Sequence, residues 1–264
     1  MNNLKFSIIG AGNMGSAIAE GFLKTGAIKP ANIWITDLRV EALDHFKAKG
    51  VNTGSNNKEA VAFADVLIIA VKPYLVKTIL DEIKPQIAHS RQILISIAAG
   101  ISISDIEATT GKLPIFRAIP NTAIAIQESM TCIADANANQ EQKDLVMSVF
   151  NLLGKAALIP EDMMNAATVI GSCETAYILR FIRATVEGGV EIGFKPDLAQ
   201  LIVSQTVLGA AKLLLTTNSH PEVEIDKVCT PKGITIVGLN EMEHAGFSSS
   251  VMKGIEAAYS VFKK

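Results

Sequence analysis

A glycine-rich turn close to the N-terminus constrains the fold of this chain more than any other sequence feature. The apolar run Phe6–Ile9 leads directly into the segment GAGNMG (residues 10–15), and recurring apolar positions then predict a helix from Met14 to Thr25. A GxGxxG segment between a strand and a helix is typical of the first βαβ unit of a Rossmann domain. The turn therefore predicts a parallel α/β domain that binds a dinucleotide.

The glycines of this segment have different physical reasons to be glycine. Gly10 permits the tight turn after the strand, Gly12 lets the backbone approach a pyrophosphate, and Gly15 lets the helix pack closely on the strand. The start of the helix offers N–H groups and the positive end of its dipole to the phosphates. We assign the whole turn, Gly10, Gly12, Asn13, Met14 and Gly15, to cofactor binding.

An acidic residue, Asp37, ends the second predicted strand, Ile33–Thr36, where this motif places the acid that binds the adenosine ribose. Its carboxylate can accept both ribose hydroxyls of NAD, whereas it repels the 2′-phosphate of NADP. Arg39 can instead bind that phosphate, or it is a solvated arginine without a ligand. NAD and NADP therefore both stay candidate cofactors.

Apolar strands alternate with helical segments through the first part of the chain. A helix is predicted over Val40–Lys49. Further strand candidates, the first two apolar on both faces, are Ala64–Val71, Ile93–Ile97, Pro114–Ala118, Thr131–Ala134 and Ala156–Ile159. A parallel sheet covered by helices on both sides requires strands of this kind. The alternation predicts a doubly wound Rossmann domain over residues 1–160.

Helical periodicity dominates after Pro160, and strand signals become scarce. Met163–Gly189 and Pro196–Leu215 are each predicted to form one long helix or a broken pair. Residues 198–215 are apolar on nearly every face, so a helix there must be buried, and we expect a second copy of the chain to bury it. The sequence thus predicts an all-α dimerisation domain over residues 161–264.

Composition excludes several classes of protein. Apolar residues make up 49% and charged residues 19% of the 264 residues, which indicates a packed core and not a disordered chain. A formal charge of −2 gives no electrostatic basis for binding nucleic acid or an anionic membrane surface. Charge or glycine is expected to interrupt each apolar stretch before about 18 residues, so we expect no membrane span.

Cysteine and histidine usage favours a cytoplasmic protein without a metal. The three cysteines, Cys132, Cys173 and Cys229, have no CxxC spacing and cannot all pair within one chain. The apolar run at the N-terminus is too short for a secretory signal peptide. The four histidines show no metal-ligand spacing, and the acidic residues form no pair suited to hydrolytic chemistry.

Several motifs along the whole chain resemble those of pyrroline-5-carboxylate reductases. They are the loop GAGNMGSAIAEGF (residues 10–22), AVKP (70–73), SIAAG (96–100), RAIPNT (117–122), GAAK (209–212), HP (220–221) and GITI (233–236). The resemblance implies reduction of the cyclic imine pyrroline-5-carboxylate to proline by NAD(P)H. It also implies a homodimer with intertwined helical domains, active sites where these meet the Rossmann domain, and further assembly into a ring of dimers.

The resemblance also implies roles for individual residues. Positions beside the cofactor are matched by Ala70, Val71, Lys72, Pro73, Pro120 and Asn121, and Asn56 matches a position near the adenosine ribose. Ser172 is expected at the substrate.

The hydride comes from the cofactor, so the protein has to orient the imine, bind its carboxylate and permit protonation of its nitrogen. A loop that presents N–H groups at a helix start can bind a carboxylate. The segment CTPKGIT (229–235) suits that role, with Lys232, Gly233 and Ile234 in the substrate-binding turn. By resemblance, Thr235 lies near the imine nitrogen and is the candidate catalytic residue; the alternative is a threonine that only caps the helix.

Two segments depart from the family pattern. GSCETAY (171–177) stands where the family reads GSGPAY, and TPKGIT (230–235) stands where it reads SPGGTT. The departures introduce Glu174 and Lys232, which we expect to interact, within one subunit or across the dimer. A Cβ at Lys232 is costly if that position needs a positive φ. The departures favour one alternative, a relative that reduces another imine or a ketone. An inactive cofactor-binding regulator is a further alternative.

Overall fold

The computed structural model describes residues 3–263. They divide into two compact units, with the boundary between Cys173 and Glu174. Unit 1 ends at Cys173 and unit 2 begins at Glu174. The domain boundary at residue 160 was a reading of the sequence pattern and stays a prediction.

Unit 1 is built on one eight-stranded sheet with the strand order β3-β2-β1-β4-β5-β6-β7-β8. The strands are β1 (Phe6–Ile9), β2 (Ile33–Thr36), β3 (Asn52–Gly54), β4 (Val66–Ile69), β5 (Ile93–Ser96), β6 (Ile115–Ile119), β7 (Ser129–Ala136) and β8 (Gly154–Leu158). Neighbouring strands are parallel except β6 and β7, which are antiparallel. The doubly wound Rossmann prediction is confirmed, with one antiparallel step that the sequence pattern did not indicate.

Seven α-helices accompany this sheet in the described part of unit 1. They are α1 (Asn13–Thr25), α2 (Asp44–Ala48), α3 (Asn57–Phe63), α4 (Pro73–Ile83), α5 (Ile103–Thr110), α6 (Gln140–Asn151) and α7 (Met164–Ala167). A π-helical turn, Thr168–Cys173, follows α7. At the end of α1, Gly26 adopts a left-handed conformation with a φ of 66°, a common way for a helix to end.

Residues of each central strand alternate between two hydrophobic cores, one on each face of the sheet. On β1, Ile8 belongs to the same core as Phe22 of α1, whereas Ile9 belongs to the core that contains Leu80 of α4. On β4, Ile68 belongs to the first core and its neighbours to the second. Full burial of each such side chain contributes roughly 1.5–3 kcal/mol. This two-sided burial explains why the strands are mostly apolar on both faces, with few polar residues such as Ser7 and Ser96.

The carboxyl ends of β1 and β4 form the crevice of unit 1. The two strands pair in parallel register up to Ile9 and Ile69. The helices that follow them, α1 and α4, pack into cores on opposite faces. Ligands of open α/β sheets bind where the strand order reverses in this way.

Two local predictions in unit 1 need correction. Val40–Lys49 is not one helix: a 3₁₀ turn over Val40–Leu43 precedes the short α2. The buried apolar residues of this segment are Leu43 and Phe46, so a 3₁₀ turn and a short helix are enough to place both in the core. The edge strand β3 went unpredicted because Asn52–Gly54 is half-buried and carries no apolar side chain.

The described part of unit 2 consists of helices. They are α8 (Glu174–Glu191), α9 (Pro196–Thr217), α10 (Pro221–Val228), α11 (Ile234–His244) and α12 (Phe247–Ser260). The prediction of a helical second half is confirmed. Of the two open alternatives, Pro196–Leu215 is a single helix, whereas Met163–Gly189 is interrupted by the π-helical turn.

The apolar helix α9 is largely exposed in the protomer. Leu201 is 66% exposed and Leu215 is 83% exposed. With 22 residues and a mean hydropathy of 1.6, α9 is long and apolar enough, by those measures alone, to cross a membrane. Asp197, Gly209 and Lys212 interrupt its apolar run before about 18 residues, as expected, although the helix as a whole has the length and hydropathy of a span.

Candidate functional site

Most of the predicted cofactor residues come together in one cleft of unit 1. This glycine-loop cleft has a volume of about 740 Å³ and lies at the carboxyl ends of the central strands. The predicted residues that line it are Gly10, Gly12, Asn13, Met14, Asp37, Arg39, Ala70, Val71, Lys72, Pro73, Pro120 and Ser172. The folded chain therefore brings together residues as far apart in sequence as Gly10 and Ser172.

The glycines that frame the cleft are fixed by close backbone contacts. Gly10 has a φ of 105°, and a Cβ on it would lie 2.7 Å from the carbonyl oxygen of Ala70 at the end of β4. A Cβ on Gly15 would overlap the Gly10 carbonyl oxygen, which confirms that Gly15 allows the helix to approach the strand. The turn between β1 and α1 therefore requires glycine at both positions for the fold itself.

Gly12 is glycine for a different reason. A Cβ on Gly12 would meet no atom of the described chain within 4 Å, and its φ of −69° is ordinary for any residue. Gly12 is also the N-cap of α1, and no side chain caps this helix. The first N–H groups of α1 thus face open space with the positive end of the helix dipole behind them, which fits an anionic phosphate group.

Asp37 holds the glycine loop through hydrogen bonds. Its Oδ2 accepts from the backbone N–H of Ala11 at 3.0 Å, and its Oδ1 accepts from the backbone N–H of Arg39 at 2.9 Å. Partial burial alone raises the pKa of Asp37, but these N–H groups and the Arg39 guanidinium outweigh burial and hold the pKa below its ordinary value. The carboxylate is therefore ionised and partly used by the protein itself.

Arg39 sits at the rim of the cleft with a largely free side chain. Its Nε lies 3.3 Å from Asp37 Oδ1, and the side chain is 72% exposed. An exposed pair of this kind contributes little to stability. The guanidinium is therefore free to bind an anion, because the fold depends little on its contact with Asp37.

Three of the predicted cofactor residues do not line the cleft. Gly15 packs beneath the loop, as described above. Asn56 caps α3, where its Oδ1 accepts from the backbone N–H of Lys58 at 3.1 Å. The Asn121 side chain is bonded within the fold, because its Nδ2 donates to the carbonyl oxygen of Gly171 at 2.9 Å. Their roles in cofactor binding stay predictions.

The cleft also contains residues that the sequence analysis did not assign. They are Tyr74, Leu75, Ile97, Ala98, Ala99, Ile119 and Thr168. The sequence did contain a signal for Ile97, Ala98 and Ala99. They belong to the SIAAG motif (96–100), which lies at the carboxyl end of β5, at the same edge of the sheet as the end of β1. Tyr74 is 79% exposed at the start of α4 and carried no signal in the sequence.

The predicted substrate loop of unit 2 joins α10 to α11. Lys232 adopts the left-handed conformation with a φ of 60°, so the position does carry the cost expected of a residue with a Cβ. The Gly233 N–H donates to the Thr230 carbonyl oxygen at 2.9 Å, and a Cβ on Gly233 would overlap Thr230 Oγ1. The loop is thus a tight turn directly before a helix.

Thr235 lies in the first turn of α11 beside an apolar groove. The groove has a volume of about 640 Å³, and Cys229, Ile234 and Thr235 are part of its lining. The N-cap of α11 is Gly233, with no side-chain cap, so the alternative that Thr235 only caps the helix is wrong. Its hydroxyl has no hydrogen-bond partner within residues 3–263 and is available to a ligand.

Glu174 and Lys232 form no ion pair within 4 Å in the described part of the protomer. One carboxylate oxygen of Glu174 is buried and lacks a hydrogen-bond partner there. The interaction across a dimer stays a prediction.

Both parts of the chain match known families. Residues 161–264 match the family model described as pyrroline-5-carboxylate reductase dimerisation, and residues 5–100 match NADP oxidoreductase, coenzyme F420-dependent. Pyrroline-5-carboxylate reductase 2 of Dictyostelium discoideum is 41% identical over 271 residues, which cover 96% of this chain and 90% of that protein. The chain belongs to the pyrroline-5-carboxylate reductase family.

Other members of the pyrroline-5-carboxylate reductase family support this relation. The enzyme of Methanosarcina acetivorans is 36% identical, with 97% of this chain and 95% of that protein covered. Pyrroline-5-carboxylate reductase 1 of Dictyostelium discoideum is 40% identical, and the match covers 94% of this chain but 47% of that longer protein.

Solved structures of pyrroline-5-carboxylate reductases have the same fold. The Plasmodium falciparum enzyme, solved with NADP bound, superposes with a TM-score of 0.90 at 31% identity and covers 100% of this chain and 98% of its own. The Coxiella burnetii enzyme superposes with a TM-score of 0.91 at 29% identity, covering 99% and 98%. The resemblance inferred from the motifs is confirmed.

Proposed function

We propose that this chain reduces 1-pyrroline-5-carboxylate to L-proline with NAD(P)H. The observation that carries the proposal is the 41% identity to a pyrroline-5-carboxylate reductase across nearly the full length of both chains. A relation over the whole length includes the glycine loop, the strand ends of the cleft and the loop before α11. Those are the parts that a reductase of this kind needs.

The glycine-loop cleft fits the dinucleotide. Gly12 leaves open the space that a pyrophosphate needs, and the uncapped start of α1 supplies N–H donors to it. The ends of β4 and β6 would hold the remainder through Ala70–Pro73 and Pro120. When bound, NAD(P)H supplies the hydride.

The chain's own residues have to bind and orient the imine and support the proton at its nitrogen. The uncapped start of α11 offers N–H groups to the substrate carboxylate. The unpartnered hydroxyl of Thr235 is suited to hydrogen-bond the imine nitrogen, so we assign the catalytic role to Thr235. Lys232, Gly233, Ile234 and Ser172 are assigned to substrate binding.

The proposed assembly is a homodimer, with a ring of dimers as a further step. The exposed apolar surface of α9 and the match of residues 161–264 to a dimerisation family support it. A cytoplasmic location is part of the same proposal, as is the absence of nucleic acid and membrane as partners.

The test is an assay of the purified protein with pyrroline-5-carboxylate and either NADH or NADPH. Turnover to proline is the expected result. Turnover only with another imine or a ketone supports a relative with changed specificity, which the strained Lys232 and the unpartnered Glu174 oxygen favour. Tight cofactor binding without any turnover contradicts an enzymatic role.

A further inference from the structure

The π-helical turn Thr168–Cys173 carries two residues of the glycine-loop cleft. Thr168 and Ser172 both line the cleft, and their spacing of four places them on one side of the turn. The Thr168 hydroxyl donates to the Met164 carbonyl oxygen at 2.8 Å. The Ser172 hydroxyl has no partner within residues 3–263, so it is the free polar group that this turn presents. Turns of this type occur frequently at functional sites.

Asn121 connects this turn to the sheet. Its Nδ2 donates to the carbonyl oxygen of Gly171 at 2.9 Å, and its Oδ1 accepts from the backbone N–H of Ala123 at 3.0 Å. Its own backbone N–H donates to Ser129 Oγ at 3.1 Å, and Ser129 is buried on β7. The side chain is thus held at both ends.

The bond to Gly171 acts on the peptide group directly before Ser172. A Cβ on Gly171 would meet nothing within 4 Å, and glycine has no side chain of its own to hold this position, so only the helical backbone bonds of the turn and contacts from outside it do so. The Asn121 side chain is such an outside contact, because it donates to the Gly171 carbonyl oxygen. It therefore helps to set the Gly171–Ser172 peptide plane and, with it, the direction of the Ser172 side chain.

We propose that Asn121 is a positioning residue that orients the Ser172 hydroxyl in the cleft for the bound imine, and not a cofactor ligand. This inference rests on the proposed function. It assigns Asn121 a role different from the one that the sequence motif implied. Pro120, the preceding residue, keeps its place in the cleft wall.

The test uses Asn121→Ser, which keeps an oxygen for the Ala123 N–H but is too short to reach Gly171. Ser172→Ala and the double variant complete a cycle. Asn52→Ala is the matched control, because the Asn52 amide also donates to backbone carbonyl oxygens, those of Ala31 and Ile33, at the far edge of the sheet. The measurements are kcat and KM for the imine, Kd for NADPH, and hydrogen exchange of the 168–173 amides.

In Asn121→Ser, kcat/KM for the imine is expected to fall roughly 10- to 100-fold through misplacement of Ser172, while Kd for NADPH changes by less than about 3-fold. The 168–173 amides should exchange faster. In the Ser172→Ala background, Asn121→Ser should lower kcat/KM by no more than about 2-fold, because coupled residues are not additive. Asn52→Ala should change none of these quantities.

Two results would overturn the proposal. One is a double variant whose loss in kcat/KM equals the product of the two single-variant losses. The other is a loss of NADPH affinity in Asn121→Ser as large as its loss in kcat/KM. A wild-type protein without turnover of pyrroline-5-carboxylate contradicts the proposed function instead. In that case the exchange measurement still decides whether Asn121 orders the turn, and unchanged exchange overturns the inference.

Discussion

The carboxylate of Asp37 accepts a hydrogen bond at 3.0 Å from the backbone N–H of Ala11, inside the glycine loop. The acid that selects the ribose in this type of fold thus also fixes the loop that is proposed to bind the pyrophosphate. Cofactor choice and loop geometry are therefore coupled through one side chain.

The pKa of Asp37 makes this coupling depend on pH. Because the folded-state pKa lies below the ordinary value of 3.8, ionised Asp37 stabilises the fold above that pH, and the contribution is lost as the pH falls through the folded pKa. Asp37→Asn should lower the free energy of unfolding by about 1 kcal/mol at neutral pH. The difference from wild type should vanish in strongly acidic urea titrations; a constant difference at every pH contradicts this.

Arg39 should select for the 2′-phosphate of NADPH. Its guanidinium is exposed beside Asp37 and makes no other hydrogen bond or ion pair within residues 3–263. Arg39→Gln should weaken NADPH binding roughly 5- to 10-fold, since an exposed charge contact is modest, and leave NADH binding unchanged. Fluorescence titrations with both cofactors measure the ratio. Equal changes for the two would make Arg39 an ordinary solvated arginine.

Gly12 and Gly15 should respond differently to added side chains. Gly12→Val fills the open space above α1, so NADPH binding should be lost while the melting temperature stays within a few degrees of wild type. Gly15→Ala drives a Cβ into the Gly10 carbonyl oxygen, so it should lower the melting temperature itself. Titration and thermal melts on both variants check the contrast. Unchanged NADPH affinity in Gly12→Val would remove the loop's assigned role.

Thr235 should matter for turnover and not for the cofactor. Thr235→Val keeps the shape of the side chain but deletes the hydroxyl, which is expected to cost roughly 100-fold in kcat. Kd for NADPH should stay at the wild-type value. Steady-state kinetics and fluorescence titration separate the two quantities. Wild-type kcat in the variant would show that the hydroxyl is not used.

Lys232 should be replaceable by glycine with a gain in stability. A left-handed backbone conformation costs a residue with a Cβ about 1 kcal/mol or more. Glycine avoids this cost, but it also increases the conformational entropy of the unfolded chain, which offsets part of the gain. Lys232→Gly should therefore raise the free energy of unfolding by up to about 1 kcal/mol, whereas Lys232→Val should lower it. Urea denaturation at one fixed protein concentration measures both. Lower stability in Lys232→Gly would mean that the lysine side chain makes a stabilising contact, such as one with Glu174 of a second copy.

The sequence predicted those elements that leave a mark in a short stretch of residues. β1, β2, β4 and β5 were predicted because strands buried on both faces are mostly apolar. The steric roles of Gly10 and Gly15 were predicted correctly because the tight turn and the close approach of the helix leave no room for a Cβ. The three-residue strand β3 was not predicted, because it lies half-buried at the edge of the sheet and needs no apolar side chain.

Long-range relationships could not be predicted in the same way. The antiparallel direction of β7 depends on how the chain reverses after β6, which leaves no mark in the periodicity of either strand. The bond from Asn121 to Gly171 joins positions 50 residues apart. No local pattern reports that contact, and a family motif alone assigned Asn121 to the cofactor.

The scarcity of buried apolar residues in unit 2 has a consequence for how the protein forms after synthesis. Ala199 and Val203 are the only buried apolar residues in the described part of unit 2, whereas unit 1 has two cores of its own. Unit 1 is synthesised before unit 2, and because it has cores of its own we expect it to fold first. In the proposed homodimer, the α9 surface is buried only when the chain meets a second copy. Formation of that dimer therefore has a first-order step followed by a second-order step, and the rate of the second rises with the number of chains being made.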